Sequence, residues 1–405
     1  MVEKSYNISR CYIKGKNDMN NLPKDDEVNI TYLNEAFNSM NTSYKIFCFK
    51  AIYDEVVLDN YCIDFKTLAC RMIESVWYPL LKYKLNLGKQ DQLQKIVNEI
   101  NEKGNIKSNI ESTKLLKILK QEVDDELVDE LLRYVIYRLI RPTFSKKIKD
   151  IKTDYAQQNA IMNLCENNFE CIYRVDSKNR MIYVNSCWFK YIKRNQNIIN
   201  GWMRYKLIEF LQKRNPNVPS IINKIDFEAA RDLKEATKLW KIITEQIKIY
   251  DIYTGDLITT KQFEIKNLMS IDHFIPWSFI GHDMIWNLIP TFKNINSRKS
   301  DNLPEWEIYF DKFAKQQYRL FCFLRINASK YKKILEDYLE IFNNYDINNI
   351  TNKENSISYN DFYINMLHTV QPLYQIAYNQ GFTIWRLENG INIKQIEENK
   401  EKIMI

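Results

Sequence analysis

Along most of the chain, apolar residues recur at the three- and four-residue spacing of helices that pack one face against a core. Thr42 or Ser43 is placed to cap the first of these helices. The pattern predicts helices over residues 44–53, 65–85, 90–100, 112–140, 188–212, 227–250, 307–324, 330–342 and 361–380. The body of the protein is therefore expected to be helical.

Two regions depart from this spacing. Residues 171–175 and 181–184 are rich in strand-forming residues and flank the polar stretch 176–180, which predicts a β-hairpin. The Asn-rich segment 343–355 predicts a loop. No internal repeat and no sustained heptad pattern is present, so the sequence indicates neither a solenoid nor a coiled coil.

With 405 residues, the chain is longer than one hydrophobic core usually serves. The pattern divides it into four regions: a helical region at 1–157, a hairpin with helices at 158–250, a mixed segment at 251–305 and a second helical region at 306–405. Hydrophobic residues make up 45% of the chain, enough to fill several cores. The fold class predicted from this pattern is mainly α with a small α+β insert.

Charge and cysteine content narrow the function classes only slightly. A net charge of +7 permits nucleic-acid binding without requiring it. Residues 1–20 are charged throughout and no apolar run reaches about 18 residues, so we expect no secretory signal, no membrane span and a cytoplasmic protein. The eight cysteines include no C-x-x-C pair, which favours buried thiols over disulfides or a cysteine zinc site.

The segment with the most evident chemistry lies in the mixed region. Residues 268–271 predict a short strand leading into Asp272 and His273, and residues 286–290 predict its antiparallel partner. Thr291 is placed to cap a closing helix that carries Asn296. The predicted order is therefore strand, loop, strand, helix.

This arrangement resembles the ββα-metal motif of HNH nucleases, in which an Asp-His pair is followed by a central Asn and by a His or Asn on the closing helix. The corresponding residues here are Asp272, His273, Asn287 and Asn296. The resemblance covers residues 252–304. It implies a phosphodiester hydrolase whose nuclease motif is carried by a larger helical body.

The residue types suit that chemistry. An imidazole titrates near neutral pH, so His273 is the expected general base that activates a water molecule. Asp272 is the expected anionic metal ligand and Asn296 a neutral oxygen ligand, a combination that favours Mg²⁺ or Mn²⁺ over Zn²⁺. By resemblance, Asn287 orients the loop or the backbone of His273.

Three further residues are candidates for substrate binding. Lys299 and Arg298 are placed to contact phosphates that flank the scissile bond, although a short exposed helix also carries such charges simply to stay solvated. His282 either contacts substrate or is an ordinary polar loop residue. Many HNH proteins bind a structural zinc through paired cysteines, but Phe292 and Ile295 stand on the closing helix here, so we expect no structural zinc and apolar packing instead.

One geometric condition applies to the pair Asp272 and His273. Adjacent residues of a strand point to opposite faces, so the two side chains can serve one centre only if the strand ends or twists there. Pro276 makes such a break plausible on sequence grounds.

Similarity to stand-alone prokaryotic HNH proteins implies double-stranded DNA as the substrate and restriction or antiphage defence as the setting, with a homodimer or a defence-system partner as possible assemblies. Basic residues between Arg138 and Lys152 either track the DNA backbone or form a solvated connector. The alternative from another class is a nucleic-acid-binding or regulatory protein that keeps the ββα element as a scaffold and does not cut.

Overall fold

The computed structural model describes residues 22–38, 40–166, 168, 170–226, 232–342, 345–352 and 354–388. These residues are mainly α-helical with small β-sheets, which confirms the predicted fold class. They divide into two compact units. The first takes the described residues up to Leu80 and from Asn86 to Arg214, and the second takes Leu81–Leu85 and the described residues from Asn215 onward. The finer four-part division remains a prediction.

The first unit is a set of helices with one three-stranded antiparallel sheet, in the order β1-β3-β2. Its helices are α1 (Ile30–Asn38), α2 (Tyr44–Val57), α3 (Phe65–Tyr83), α4 (Leu93–Gly104), α5 (Ser112–Glu122), α6 (Asp125–Leu132), α7 (Val135–Arg138), α8 (Ser145–Ile148), α9 (Asp154–Cys165), α10 (Ser186–Arg194) and α11 (Gln196–Arg214). The last three residues of α3 belong to the second unit. The strands of the first unit are β1 (Cys62–Asp64), β2 (Tyr173–Asp176) and β3 (Met181–Val184).

The predicted hairpin of this unit is confirmed. Strands β2 and β3 pair from Tyr173–Val184 to Asp176–Met181, and the carboxylate of Asp176 accepts hydrogen bonds from the backbone and side-chain nitrogens of Asn179 in the turn. The third strand, β1, was not predicted because three residues are too few to show an alternating pattern.

Two long predicted helices are in fact divided. Residues 112–140 form three helices, because Val123 is extended and Asp124 caps a new helix through the backbone nitrogen of Leu127. Residues 188–212 lie in two helices separated at Asn195. Both predictions identified helical residues correctly and missed the internal breaks.

The second unit combines helices with two-stranded sheets. Its helices are α12 (Lys234–Gln246), α13 (Thr260–Glu264), α14 (Trp277–Ile280), α15 (Lys293–Lys299), α16 (Trp306–Ile326), α17 (Ala328–Leu335), α18 (Ile347–Thr351) and α19 (Tyr359–Asn379). Its strands are β4 (Ile249–Tyr250), β5 (Leu257–Ile258), β6 (Met269–His273), β7 (Leu288–Phe292), β8 (Leu303–Pro304) and β9 (Ile384–Trp385). The pairs β4–β5 and β6–β7 are antiparallel, and β8–β9 is parallel.

Three predictions for this unit need correction. The helix predicted over 227–250 ends at Gln246 and is followed by β4, while residues 227–231 lie outside the described residues. The helix predicted over 330–342 ends at Leu335 and continues as a 3-10 turn. The predicted loop 343–355 contains α18, which Asp346 caps through the backbone nitrogen of Asn349; residues 343, 344 and 353 lie outside the described residues.

An aromatic core holds the second unit together. The ring of Phe274, at the end of β6, stacks on Phe313 of α16 with 4.0 Å between centroids. Each such pair contributes about 0.5–1.5 kcal/mol beyond the burial of its surface. Phe292 and Ile295 lie buried in the same core, so their predicted apolar packing is confirmed. Among the described residues, no helix is long and apolar enough to cross a bilayer.

Candidate active site

The β6–β7 hairpin is the frame of the candidate site. Its five residue pairs run from Met269–Phe292 to His273–Leu288, and residues 274–287 form the loop between the strands. Helix α15 begins directly after β7. The predicted order of strand, loop, strand and helix is therefore present, with the second strand two residues later than predicted.

Thr291 does not cap the closing helix, and that prediction is wrong. It is a buried residue of β7, and Phe292 is the residue that precedes α15. The Thr291 hydroxyl donates instead to a carboxylate oxygen of Asp251 at 2.6 Å. A threonine before a helix was a sound capping signal, but the buried carboxylate offers its hydroxyl a stronger partner.

Asp251 fixes the beginning of the segment to the end of β7. Besides Thr291, it accepts hydrogen bonds from the backbone nitrogens of Phe292, Tyr253 and Thr254 at 3.1, 2.8 and 3.2 Å. Burial raises the pKa of the Asp251 carboxyl, and these hydrogen bonds oppose the increase. Asp251 was not predicted as a site residue. Its available signal was an aspartate at the start of a polar turn, which is a common turn former.

The two faces of β6 carry different partners. On one face, the side-chain nitrogen of Asn296 donates to Ser270 Oγ at 2.8 Å, and Lys299 Nζ donates to Asp272 Oδ1 at 3.1 Å. Helix α15 therefore lies along the face of β6 that carries Ser270 and Asp272. Pairing with β7 stays regular through His273, and β6 ends at that residue, so the strand ends at the Asp272–His273 pair, which is one of the two conditions under which both side chains can serve one centre.

Asp272 is an inaccessible carboxylate with two charged or polar partners. Its side chain is 3% exposed, and its second oxygen, Oδ2, accepts a hydrogen bond from the Tyr253 hydroxyl at 2.6 Å. Burial, followed by the nearby Asp272 charge, raises the pKa of the Tyr253 phenol well above its usual value. The Lys299 ammonium balances the negative charge of Asp272.

Lys299 does not face solvent as a phosphate-binding residue would. Its side chain is fully buried, and Nζ also donates to the backbone oxygen of His273 at 2.7 Å. Asn296 and Lys299 are three residues apart on α15 and so share the face that meets β6, whereas Arg298 is exposed. Of the two predicted cationic contacts, only Arg298 is exposed to solvent.

His273 pairs with a residue that sequence analysis did not select. Its Nε2 lies 2.7 Å from Oδ1 of Asp283, in the loop between the strands. A carboxylate at this distance favours the tautomer with the proton on Nε2, which leaves the lone pair on Nδ1. The available signal was modest: Asp283 is the one acidic residue in 274–287.

His282 is half-buried inside the same loop. Its ring lies 5.7 Å from that of Trp286, and its Nδ1 accepts a hydrogen bond from the backbone nitrogen of Met284 at 3.4 Å. Burial, followed by the nearby charge of His273, lowers the pKa of His282 to about 4. The ring is therefore neutral at physiological pH, and its contact with substrate stays a prediction.

Asn287 joins the two ends of the loop. Its side-chain oxygen accepts from the backbone nitrogen of Ile275 at 2.8 Å, and its side-chain nitrogen donates to the backbone oxygen of the same residue at 2.9 Å. Its backbone oxygen also accepts from the nitrogen of Phe274. The side chain is completely buried, so water cannot reach its polar atoms, and these hydrogen bonds satisfy them instead.

The outer side of the loop packs against residues 219–224. Lys224 Nζ donates to the backbone oxygens of Pro219 and Phe279, and burial lowers the pKa of Lys224 to about 7. Gly281 has a φ of 76°, and a Cβ on it would lie 2.8 Å from the Cβ of Ser220. Only glycine fits there without strain. Lys224 escaped sequence analysis because a lone lysine gives no signal of burial.

The oxygen atoms around β6 suit a hard divalent cation. Asn296 turns its amide nitrogen toward Ser270 and the backbone oxygen of Ile271, which leaves its carboxamide oxygen for a ligand. Asp272 adds a carboxylate. Within the described residues, no group of three or more His, Cys, Asp or Glu side chains could enclose a metal. Mg²⁺ commonly binds through one or two protein oxygens and keeps several waters, so the residues present fit it.

Comparison with known proteins gave a match over this segment. Residues 251–305 match the sequence model of the HNH endonuclease family. The match begins at Asp251 and ends just after β8, so it includes the hairpin, its loop and α15. The comparisons with curated proteins and with solved structures gave no match. Residues 251–305 therefore carry the sequence pattern of the HNH endonuclease family.

Proposed function

We propose that the protein is a metal-dependent endonuclease that hydrolyses phosphodiester bonds in DNA. The observation that carries the proposal is the family match over residues 251–305, combined with a β6–β7–α15 unit that has Asp272, His273 and Asn296 on the expected elements. The match implies a nucleic-acid substrate.

His273 is the proposed general base. With its Nε2 proton held by Asp283, it accepts a proton from the attacking water on Nδ1. The water oxygen then forms a bond to phosphorus, and the bond from phosphorus to the leaving oxygen breaks. The Asp283 carboxylate stabilises the positive charge that His273 acquires, much as a carboxylate does behind the histidine of other hydrolases.

Asp272 and Asn296 are the proposed ligands of Mg²⁺ or Mn²⁺. When bound, the ion supplies positive charge to the phosphoryl and leaving oxygens. Asn287 keeps the loop closed onto the strand end, so that Asp283 stays within reach of His273. Arg298 is the proposed phosphate contact, since it is the exposed cation at this end of α15.

Double-stranded DNA as the substrate, a cytoplasmic location and a role in restriction or antiphage defence are further parts of the proposal. They rest on the resemblance to stand-alone prokaryotic HNH proteins. In the first unit, Lys146, Lys147 and Lys149 are exposed and could follow the DNA backbone, whereas Arg138 and Arg141 both lie near Asp154.

A second candidate function is a nucleic-acid-binding protein that retains the ββα element without cutting. The observation in its favour is the burial of Asp272, whose charge is already balanced by Lys299. In a protein that does not cut, the ion pair between Asp272 and Lys299 would serve only to stabilise the fold.

A plasmid-cleavage assay distinguishes the two functions. Wild-type protein should cut in Mg²⁺ and fail to cut in EDTA, and His273→Ala should reduce the rate by about 10²–10⁴-fold because the water loses its base. His368→Ala is the matched control, since His368 is an exposed histidine of α19 and should cut at the wild-type rate.

Equal cutting by wild type and His273→Ala, or no cutting with any divalent metal, would contradict the nuclease proposal and leave the scaffold. Parallel reactions on single-stranded DNA and on RNA assign the substrate class. Preferential cutting of RNA would refute the DNA assignment while leaving the catalytic residues in place.

A further inference from the structure

The ion pair between Asp272 and Lys299 lies in the interior, where removing a charge from water costs free energy. The two side chains are 3% and 0% exposed, and 3.1 Å separates Lys299 Nζ from Asp272 Oδ1. A buried carboxylate needs hydrogen bonds, a positive charge or both to compensate for its lost hydration. Lys299 provides the charge, and Tyr253 completes the hydrogen bonding at the other carboxylate oxygen.

The oxygen atoms around the Lys299 ammonium are of the kind that surround a bound metal ion. Lys299 Nζ donates to two oxygens, Asp272 Oδ1 and the backbone oxygen of His273, both at the end of β6. Carboxylate and carbonyl oxygens are also the ligands preferred by hard divalent cations. The lysine therefore contacts oxygen atoms of the same kind that a metal at Asp272 would bind.

We propose that Lys299 is a built-in counter-cation that neutralises Asp272 in the metal-free protein and gives up Asp272 Oδ1 when a divalent cation binds. The inference rests on the proposed metal-ligand role of Asp272. Tyr253 keeps its hydrogen bond to Oδ2 during the exchange, so the carboxylate retains its position while Oδ1 changes partner.

Two consequences follow from electrostatics. First, the segment folds without metal, because Asp272 is already paired. Second, the metal binds less tightly than the carboxylate alone would allow, because it must displace or approach an ammonium of like charge. Removal of the ammonium should therefore strengthen metal binding while it weakens the metal-free fold.

The test measures binding of Mn²⁺ alone, without DNA, by electron paramagnetic resonance and calorimetry. Lys299→Met should bind Mn²⁺ about tenfold more tightly than wild type, since even 1.4 kcal/mol of relieved repulsion corresponds to that factor. Its unfolding temperature should fall without metal and rise with Mn²⁺ by more than that of wild type. Tyr253→Phe is the matched control: it removes a hydrogen bond from Asp272 without removing a charge, and should not tighten binding.

The outcomes separate this inference from the proposed function. If wild type binds Mn²⁺ and Lys299→Met binds it equally well or more weakly, the counter-cation role of Lys299 is wrong. The nuclease proposal is then unaffected. No binding by either protein overturns both the counter-cation and the metal-ligand role of Asp272. If Lys299→Met does not fold, Lys299→Gln, which keeps a hydrogen-bond donor without the charge, gives the same comparison.

A double variant removes the remaining ambiguity. Asp272→Asn combined with Lys299→Met replaces the ion pair with two neutral side chains, and it should fold more stably than Lys299→Met and bind no Mn²⁺. Retained Mn²⁺ binding in this double variant would overturn the inference, because the metal would then not depend on Asp272.

Discussion

The two hairpins β2–β3 and β6–β7 use the same antiparallel pairing for different purposes. In β2–β3, buried and partly exposed residues alternate, and a short turn with exposed polar residues joins the strands. In β6–β7, the last three residues of β6 and all five of β7 are buried, and residues 274–287 form a long loop that is itself packed. Of these two hairpins, only β6–β7 buries a carboxylate, that of Asp272.

The difference shows what the burial of charge requires. A hairpin needs one covered face to be stable, so β2–β3 keeps its polar residues at the surface, where Arg174 lies 3.9 Å from the ring of Tyr183. In β6–β7, Asp272 and His273 are each within hydrogen-bond distance of an ionisable partner, Lys299 and Asp283 respectively. Such compensated burial costs stability, and proteins typically accept it where titratable groups perform chemistry.

The same asparagine substitution in each hairpin gives the largest expected contrast. Asn287→Ala should lower the free energy of unfolding by about 3 kcal/mol, because it leaves the nitrogen and oxygen of Ile275 buried without partners. Asn179→Ala, in the exposed β2–β3 turn, should cost less than about 1 kcal/mol. Urea denaturation measures both. Equal losses would show that burial does not distinguish the two hairpins.

A paired aspartate substitution tests whether one hairpin alone serves catalysis. Asp283→Asn should slow plasmid cleavage about 10–100-fold, because an amide can donate to Nε2 and so favour the His273 tautomer that carries its proton on Nδ1. Asp176→Asn makes the same change at the end of β2 and should leave the cleavage rate unchanged. The pH dependence of cleavage should also move in Asp283→Asn, which a purely structural role for Asp283 would not produce.

The smallest expected difference concerns acid stability. The pKa of His282 falls from 6.5 in the unfolded chain to about 4 when folded. Between these values the unfolded chain binds more protons, so the free energy of unfolding decreases as the pH falls, by roughly 1 kcal/mol between pH 6.5 and 5.5. His282→Gln should flatten this dependence, and His368→Gln, at an exposed position, should not. Denaturation curves over this range measure the slope; identical slopes in all three proteins would rule out His282 as the source.

Sequence reasoning recovered the elements whose signal is local. Helical spacing, the β2–β3 turn and the order of β6, β7 and α15 all follow from residues close together in the chain. The Asp-His pair and Asn296 were placed on the correct elements for the same reason, whereas Asn287, predicted on the second strand, lies at the end of the loop before β7. Breaks inside long helices were missed because Val123 and Asn195 carry apolar or neutral side chains that do not interrupt the pattern.

The partners of the site residues could not be predicted in this way. Asp251 reaches Thr291 across forty positions, and Lys299 reaches Asp272 across twenty-seven. Such pairs depend on how the strand and the helix pack. From the sequence alone, a lysine is expected to expose its ammonium to solvent. Lys299 was therefore predicted to meet phosphate, although packing of α15 on β6 turns it inward.

The residue ranges that make up the second unit determine which shortened versions of the protein keep its internal contacts. Leu81–Leu85 belongs to it although the rest begins at Asn215. Lys82 forms an ion pair with Asp301, which also accepts a hydrogen bond from Ser278, and Gln380 donates to the backbone oxygen of Tyr83. An expression clone that starts at residue 215 would lack these contacts, and one limited to residues 251–305 would also lack Phe313 beneath Phe274. A shortened version of the second unit would therefore need the five upstream residues Leu81–Leu85 grafted back, as a fused or co-expressed peptide.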